Sequence, residues 1–107
     1  METTLNRLKK LTAWESEPAL TEGELEELLG DASLPDNKGL PPGKENWAPT
    51  FDLNRAATDA WLIKAARAAA LVEVEGDIAT SKVFDNCRKM AWIFSNRRAS
   101  TVPTNFV

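Results

Sequence analysis

The stretch D52-L-N-R-A-A-T-D-A-W-L-I-K-A-A-R-A-A-A70 decides how this chain is read. Asp52 is a good N-cap, and from Leu53 to Leu71 no glycine or proline interrupts the pattern. Leu53, Ala57, Trp61, Ala65, Ala68 and Val72 fall near one stripe at helical spacing. Alanine has the best helix propensity, and the run from Ala65 to Ala70 also lets a neighbouring helix come close. The spacing therefore predicts a long helix over Leu53–Leu71, a rod of roughly 30 Å at 1.5 Å per residue.

Toward the C-terminus, Val72-Glu73-Val74-Glu75 alternates apolar and acidic residues with period two. Gly76-Asp77 is a tight-turn dipeptide, and Ile78-Ala79-Thr80 can return as a second strand. A small β-hairpin is expected over residues 72–80, one that needs partners because a lone hairpin is barely stable in water. Ser81 then reads as the cap of a last helix, Lys82–Arg98, with Asp85 in its first turn. Val83, Cys87, Met90, Ala91 and Phe94 make its apolar stripe. Trp92 lies roughly 140° from Cys87, among Asp85, Arg88, Lys89 and Asn96, so a tryptophan sits on the polar face. Arg88, Lys89, Arg97 and Arg98 enrich the C-terminal half in cations, which suits the helix dipole and could meet an acidic partner. The remainder, residues 100–107, holds Pro103-Thr104-Asn105-Phe106-Val107. It is too irregular for an element of its own, and is either a docking arm or a disordered end.

Toward the N-terminus, Thr3–Ala13 reads as a short helix with Leu5, Leu8 and either Leu11 or Thr12 along one face. Leu20-Thr21-Glu22-Gly23-Glu24-Leu25 has the form of a capping box. The Thr21 hydroxyl can accept from the Glu24 N–H, and the Glu24 carboxylate from the Thr21 N–H. Leu20 and Leu25 stand at the staple positions. Gly30 is placed to end this helix. Its acidic cluster is explained by capping and solvation, since no oxygen ligands have calcium-loop spacing. Residues 31–50 form a long loop punctuated by Pro35, Gly39, Pro41, Pro42, Gly43 and Pro49. Trp47 is the residue that could tether this loop to the helices or meet a partner.

The totals set bounds. With 107 residues, residues 1–99 make one domain with a modest core. There are 13 basic and 16 acidic residues, a net charge of −3, which argues against a module that clamps nucleic acid on a basic face. The single cysteine, Cys87, rules out an internal disulfide framework and reads as a reduced cytosolic thiol. No run is long enough to span a membrane, and METTLNRLKKL (1–11) lacks an apolar signal core. Histidine is absent, which removes the commonest general base and metal ligand. No nucleophile–base pair, phosphate-binding glycine loop or paired-cysteine spacing replaces it. No catalytic, cofactor or metal residue is expected, and the chain does not read as an enzyme. Four tryptophans, Trp14, Trp47, Trp61 and Trp92, each need a placement as anchors.

Three segments together carry a resemblance: LTEGELEELLGDASLPD (20–36), WAPTFDLNRAATDAWLIKAA (47–66) and NCRKMAWIFSNRRAS (86–100). Their order is an acidic capped helix, a proline-rich loop, an aspartate-leucine-asparagine helix start, a hairpin and an arginine-ended helix. In this the chain resembles the head–tail connector adaptors of tailed bacteriophages, also called head-completion or neck proteins. The resemblance runs from about Leu20 onward and leaves the first helix and the last residues without a clear motif. It implies a non-enzymatic virion protein, assembled in the host cytoplasm and residing in the neck. It implies a homo-oligomeric ring, a dodecamer, beneath the portal protein, extending the channel for genomic DNA without specific binding. The ring would join portal to a stopper or tail-completion protein. The two long helices would build its wall, the hairpin or the 31–50 loop would face the next component, and Pro103, Thr104, Asn105, Phe106 and Val107 would be the portal-contacting arm. Trp92, Arg88, Trp47, Arg97 and Arg98 are the candidates for subunit or partner contacts. No membrane partner is implied. The competing reading is a small helical nucleic-acid-binding regulator with Arg88, Lys89, Arg97 and Arg98 on phosphates. The acidic balance and the absence of a tight helix-turn-helix stand against it.

Overall fold

The computed structural model describes residues 3–75 and 78–101. They form four helices: α1 (Thr4–Thr12), α2 (Glu22–Asp31), α3 (Leu53–Glu75) and α4 (Ile78–Thr101). The protein is mainly α, as expected. Helices α3 and α4 are joined through residues 76 and 77 alone and pack along each other, so they run antiparallel. Helices α1 and α2 pack on α3 and on each other, and neither touches α4 among the described residues. α3 is thus the central rod, with α4 on one side and the α1–α2 pair on another.

Local chemistry explains the helix starts. The Thr3 hydroxyl accepts from the Asn6 N–H at 3.1 Å, and α1 closes on Ala13 in the left-handed region at φ 45°. Lys9 and Lys10 lie in its last turn, where the dipole favours cations. The capping box of α2 is present in full. The Glu24 N–H donates to the Thr21 hydroxyl at 3.1 Å, and the Thr21 N–H to the Glu24 carboxylate at 2.9 Å. For α3, the Arg55 N–H donates to the Asp52 carboxylate at 3.0 Å, which makes Asp52 the N-cap.

Four expectations need correction. Residues 72–75 and 78–80 are helical, and among the described residues there is no strand, only an isolated Ser33–Phe51 bridge. A four-residue alternation is too short to outweigh helix propagation from the alanine run. Each added helical residue gains a backbone bond, whereas a free two-stranded hairpin gains little. Val72 also continues the α3 stripe, so one residue served both patterns. Ser81 is accordingly inside α4 rather than its cap. Gly30 lies within α2, which ends instead with the Ala32 N–H on the Leu28 carbonyl and the Ser33 hydroxyl on the Gly30 carbonyl. Finally, residues 100 and 101 belong to α4, so the expected arm does not begin at Ser100.

The core joins all four helices: Leu8 from α1, Leu25 and Leu29 from α2, Ala56, Ala57, Ala60, Trp61 and Ala65 from α3, Cys87, Ala91 and Phe94 from α4. The α4 stripe matches the expected one, with Val83 and Met90 at its partly buried margins. Buried positions of α3 run from Ala56 through Ala57 to Thr58, an arc of about 200° at 100° per residue. A helix covered on both sides shows this instead of a narrow apolar stripe.

Residues 31–52 are closed at the base. The Leu34 N–H donates to the Thr50 carbonyl and the Asp52 N–H to the Ala32 carbonyl, both at 2.8 Å. Within the loop the Asp36 carboxylate accepts from the N–H groups of Lys38, Leu40 and Ala48, each at 2.9 Å. These donors, Ala48 first, hold its carboxyl below the usual aspartate range. Gly39 and Gly43 turn the chain at φ 82° and 87°, where a side chain would be strained. Residues 32–52, which hold no helix and only the Ser33–Phe51 bridge, are therefore an ordered loop organised on one buried carboxylate.

Candidate functional site

Two of the residues singled out by the sequence come together on the α3–α4 pair. Thr58 and Leu62 of α3 face Arg88, Ala91, Trp92 and Ser95 of α4 around a shallow groove of about 310 Å³. Trp92 is 66 % exposed and Leu62 51 % exposed, so the groove presents two large apolar side chains to solvent. Trp92 lies on the polar face, as its wheel position requires, while Cys87, Ala91 and Phe94 point into the core. The Arg88 guanidinium stands 5.6 Å from the Phe84 ring, which steadies a cation at the rim. Arg97 stacks in the same way over Phe94 at 5.0 Å. The Arg98 side chain and the whole of Pro103–Val107 lie outside the described residues.

Trp47 does not line this groove. Its indole N–H donates to the Leu34 carbonyl at 2.9 Å, and its ring meets Phe51 edge-on at 5.8 Å. Trp47 pins its own loop to the loop base, and it is not among the residues of the helical core to which it was expected to tether the loop.

A second constellation was not visible in the sequence. Three donors of α3, spaced three apart, take carbonyls from the last turn of α1 and the α1–α2 linker in order. The Trp61 indole N–H donates to Leu11 at 3.1 Å. The Lys64 ammonium donates to Ala13 and Ser16, both at 2.9 Å. The Arg67 guanidinium donates to Ala19 at 3.0 Å and also grips both oxygens of Glu24. The orphan carbonyls beyond α1 are satisfied in this way by side chains of another helix. Lys64 is 1 % exposed, and burial pushes its ammonium below the ordinary lysine range. Burial likewise raises the Cys87 thiol, with Lys64 opposing. The only sequence signal for Lys64 was its position, three residues after Trp61 on the α3 stripe.

The Arg67 hydrogen bond is the main reason Glu24 titrates at about 2 instead of 4.5, helped by the Thr21 N–H. A depressed carboxylate contributes stability above its unfolded value and loses it as pH falls through the folded value. Wild-type stability should therefore fall between pH 4.5 and about 2. Both partners are partly exposed, so the loss is on the order of 1 kcal/mol. Glu24→Gln keeps a capping residue but should lose this amount at pH 7 and show a flatter acid limb in urea melts. An equal acid slope in both proteins would assign the loss to Asp36 and other carboxylates.

Chemically, the groove offers apolar contact plus one rim cation, which suits docking of a partner surface. Among the described residues no group of histidine, cysteine or carboxylate side chains is placed to hold a metal ion, and no helix is long and apolar enough to cross a membrane. Compared with protein-family models, with curated proteins and with solved structures, the chain finds no match.

Proposed function

We propose that the chain is a structural subunit of a tailed-phage neck, a head–tail connector adaptor that assembles into a ring under the portal and joins it to the stopper or tail. The observation that carries this reading is the solvent-exposed Trp92–Leu62 pair on an antiparallel helical pair. A groove of this kind on a small protein is stable when covered by another protein. The order of the capped acidic helix, long proline-punctuated loop, Asp52-capped helix and arginine-ended helix supports it. The chain departs from the resembled pattern at residues 72–80, where helix replaces the hairpin. In this reading the hairpin has no contact to make, and the 31–50 loop, held on Asp36, is left to meet the next component. The wall is α3 and α4, and residues 103–107 are the portal-contacting arm.

Removal of Thr101–Val107 should leave the melting transition in place while abolishing co-sedimentation with portal particles. Truncated protein that still co-sediments would overturn the arm assignment. Electron microscopy of full-length protein mixed with portal particles should show an added ring. Tight DNA binding with a steep salt slope, and no ring, would favour a nucleic-acid-binding role instead.

A further inference from the structure

We infer that the Leu62–Trp92 groove is a subunit contact, and that what fills it is the α2 edge of a second copy of this chain, with Leu34 as the apolar knob and Glu27 and Asp31 meeting Arg88. The inference rests on the ring reading and names its interface.

Charge separates sharply between the two surfaces. α2 carries five acidic residues and no basic one, whereas α4 carries five basic residues and one acidic. Glu22 is paired with Lys9 at 3.2 Å and Glu24 with Arg67, while Glu27 and Asp31 are exposed and make no ion pair among the described residues. They lie four apart, on one helix face. Arg88 stacks on Phe84 and likewise has no carboxylate partner among the described residues.

Shape agrees with charge. Leu34 lies three residues beyond the end of α2 and is 38 % exposed. It is held in place from both ends, its N–H on Thr50 at 2.8 Å and its carbonyl on the Trp47 indole at 2.9 Å. A fixed leucine three residues beyond Asp31, at the end of an acidic helix, complements an apolar groove rimmed by an arginine, and little ordering entropy opposes docking.

The fold dictates which copy provides it. α2 packs on α1 and α3 but not on α4, and neither it nor Leu34 lines the groove, so the acidic edge of a subunit does not fill its own groove. A subunit therefore offers its edge to one neighbour and its groove to another. Such a head-to-tail contact repeats, and a repeat that closes is a ring.

Sedimentation equilibrium of the full chain over a concentration series, at low and high salt, tests this. Wild type should self-associate, more tightly at low salt. Arg88→Glu alone, and Glu27→Arg with Asp31→Arg, should each weaken association about tenfold or more. The triple variant with all three reversals should regain most of the loss. Leu62→Asp should abolish association at any salt, with all variants keeping the wild-type circular dichroism. Reversals that associate like wild type, or a triple variant no better than either parent, overturn this interface while leaving a ring possible. Loss of association on deleting residues 102–107, with the reversals silent, gives the groove to the chain's own tail and also overturns it. A wild-type chain that stays monomeric at every concentration, alone and with portal particles, overturns the ring reading itself.

Discussion

Replacing Lys64 with alanine is expected to lower unfolding free energy by about 3 kcal/mol, a fall of roughly 12–20 °C in melting temperature. Two effects add. The aliphatic stem leaves a void between α3 and the linker, and the Ala13 and Ser16 carbonyls lose a charged donor. Lys64→Met separates them, because it restores the volume and not the hydrogen bonds. It should cost about 2 kcal/mol, two charge-assisted bonds at about 1.5–3 kcal/mol each less the relief of no longer burying an ammonium. If Lys64→Met is as stable as wild type, desolvation cancels the bonds and the linker is held by packing alone.

Alkaline titration gives an independent check. The folded pKa of Lys64 is lowered from 10.5, so the unfolded chain keeps its proton at a pH where the folded chain has released it. Stability must then rise as pH climbs through the folded value toward 10.5, because an unfavourable buried charge is being removed. Cys87 acts in the opposite sense. Its thiol is raised from 9.0, so the unfolded chain ionises first and stability falls above that pH. Without Lys64 the Cys87 thiol is raised further, which destabilises the variant more at high pH, so the difference between wild type and Lys64→Met should grow with alkalinity toward 10.5. A difference that shrinks over this range would place the ammonium, not its burial cost, in control.

Why Lys64 escaped a sequence reading, while Thr21, Glu24 and Asp52 did not, follows from the range of the interactions. A capping box closes within three residues, so four letters contain it. The Lys64 bonds span 51 and 48 residues, and periodicity treats a lysine as surface by default. The loop shows the same division. Its glycines and prolines are punctuation that can be seen, whereas the Asp36 to Ala48 bond across 12 residues can not. At residues 72–75 the limit is different: Val-Glu-Val-Glu is satisfied by strand or helix, and the preceding helix decides. The groove was half legible. Trp92 stands out from α4 alone, because a tryptophan among Arg88, Lys89 and Asn96 needs a reason. Leu62 becomes meaningful only once α3 and α4 are in register, which no local pattern encodes.

The second large effect is expected at Trp61, where truncation to alanine should cost about 3–5 kcal/mol. That approaches the whole stability of a domain this size, about 5–15 kcal/mol. Trp61 is almost fully buried in the cluster shared by the helices, and its indole N–H secures the Leu11 carbonyl. Trp61→Phe keeps much of the ring and drops that bond, so it should lose only about 1–2 kcal/mol. The pair of mild variants then tests whether α3 holds the linker as one unit. The Lys64 ammonium lies 5.1 Å from the Trp61 ring centroid, and the two residues grip carbonyls two positions apart. Once Trp61→Phe frees Leu11, the linker can shift and the Lys64 bonds are worth less. The double variant Trp61→Phe with Lys64→Met should therefore cost less than the two singles together, by about 0.5–1 kcal/mol. Strict additivity in urea melts would mean that each side chain fastens its own carbonyl independently. A coupled result would make residues 11–19 a single clasp, which sets where α2, and with it the acidic edge and Leu34, stands on the central rod.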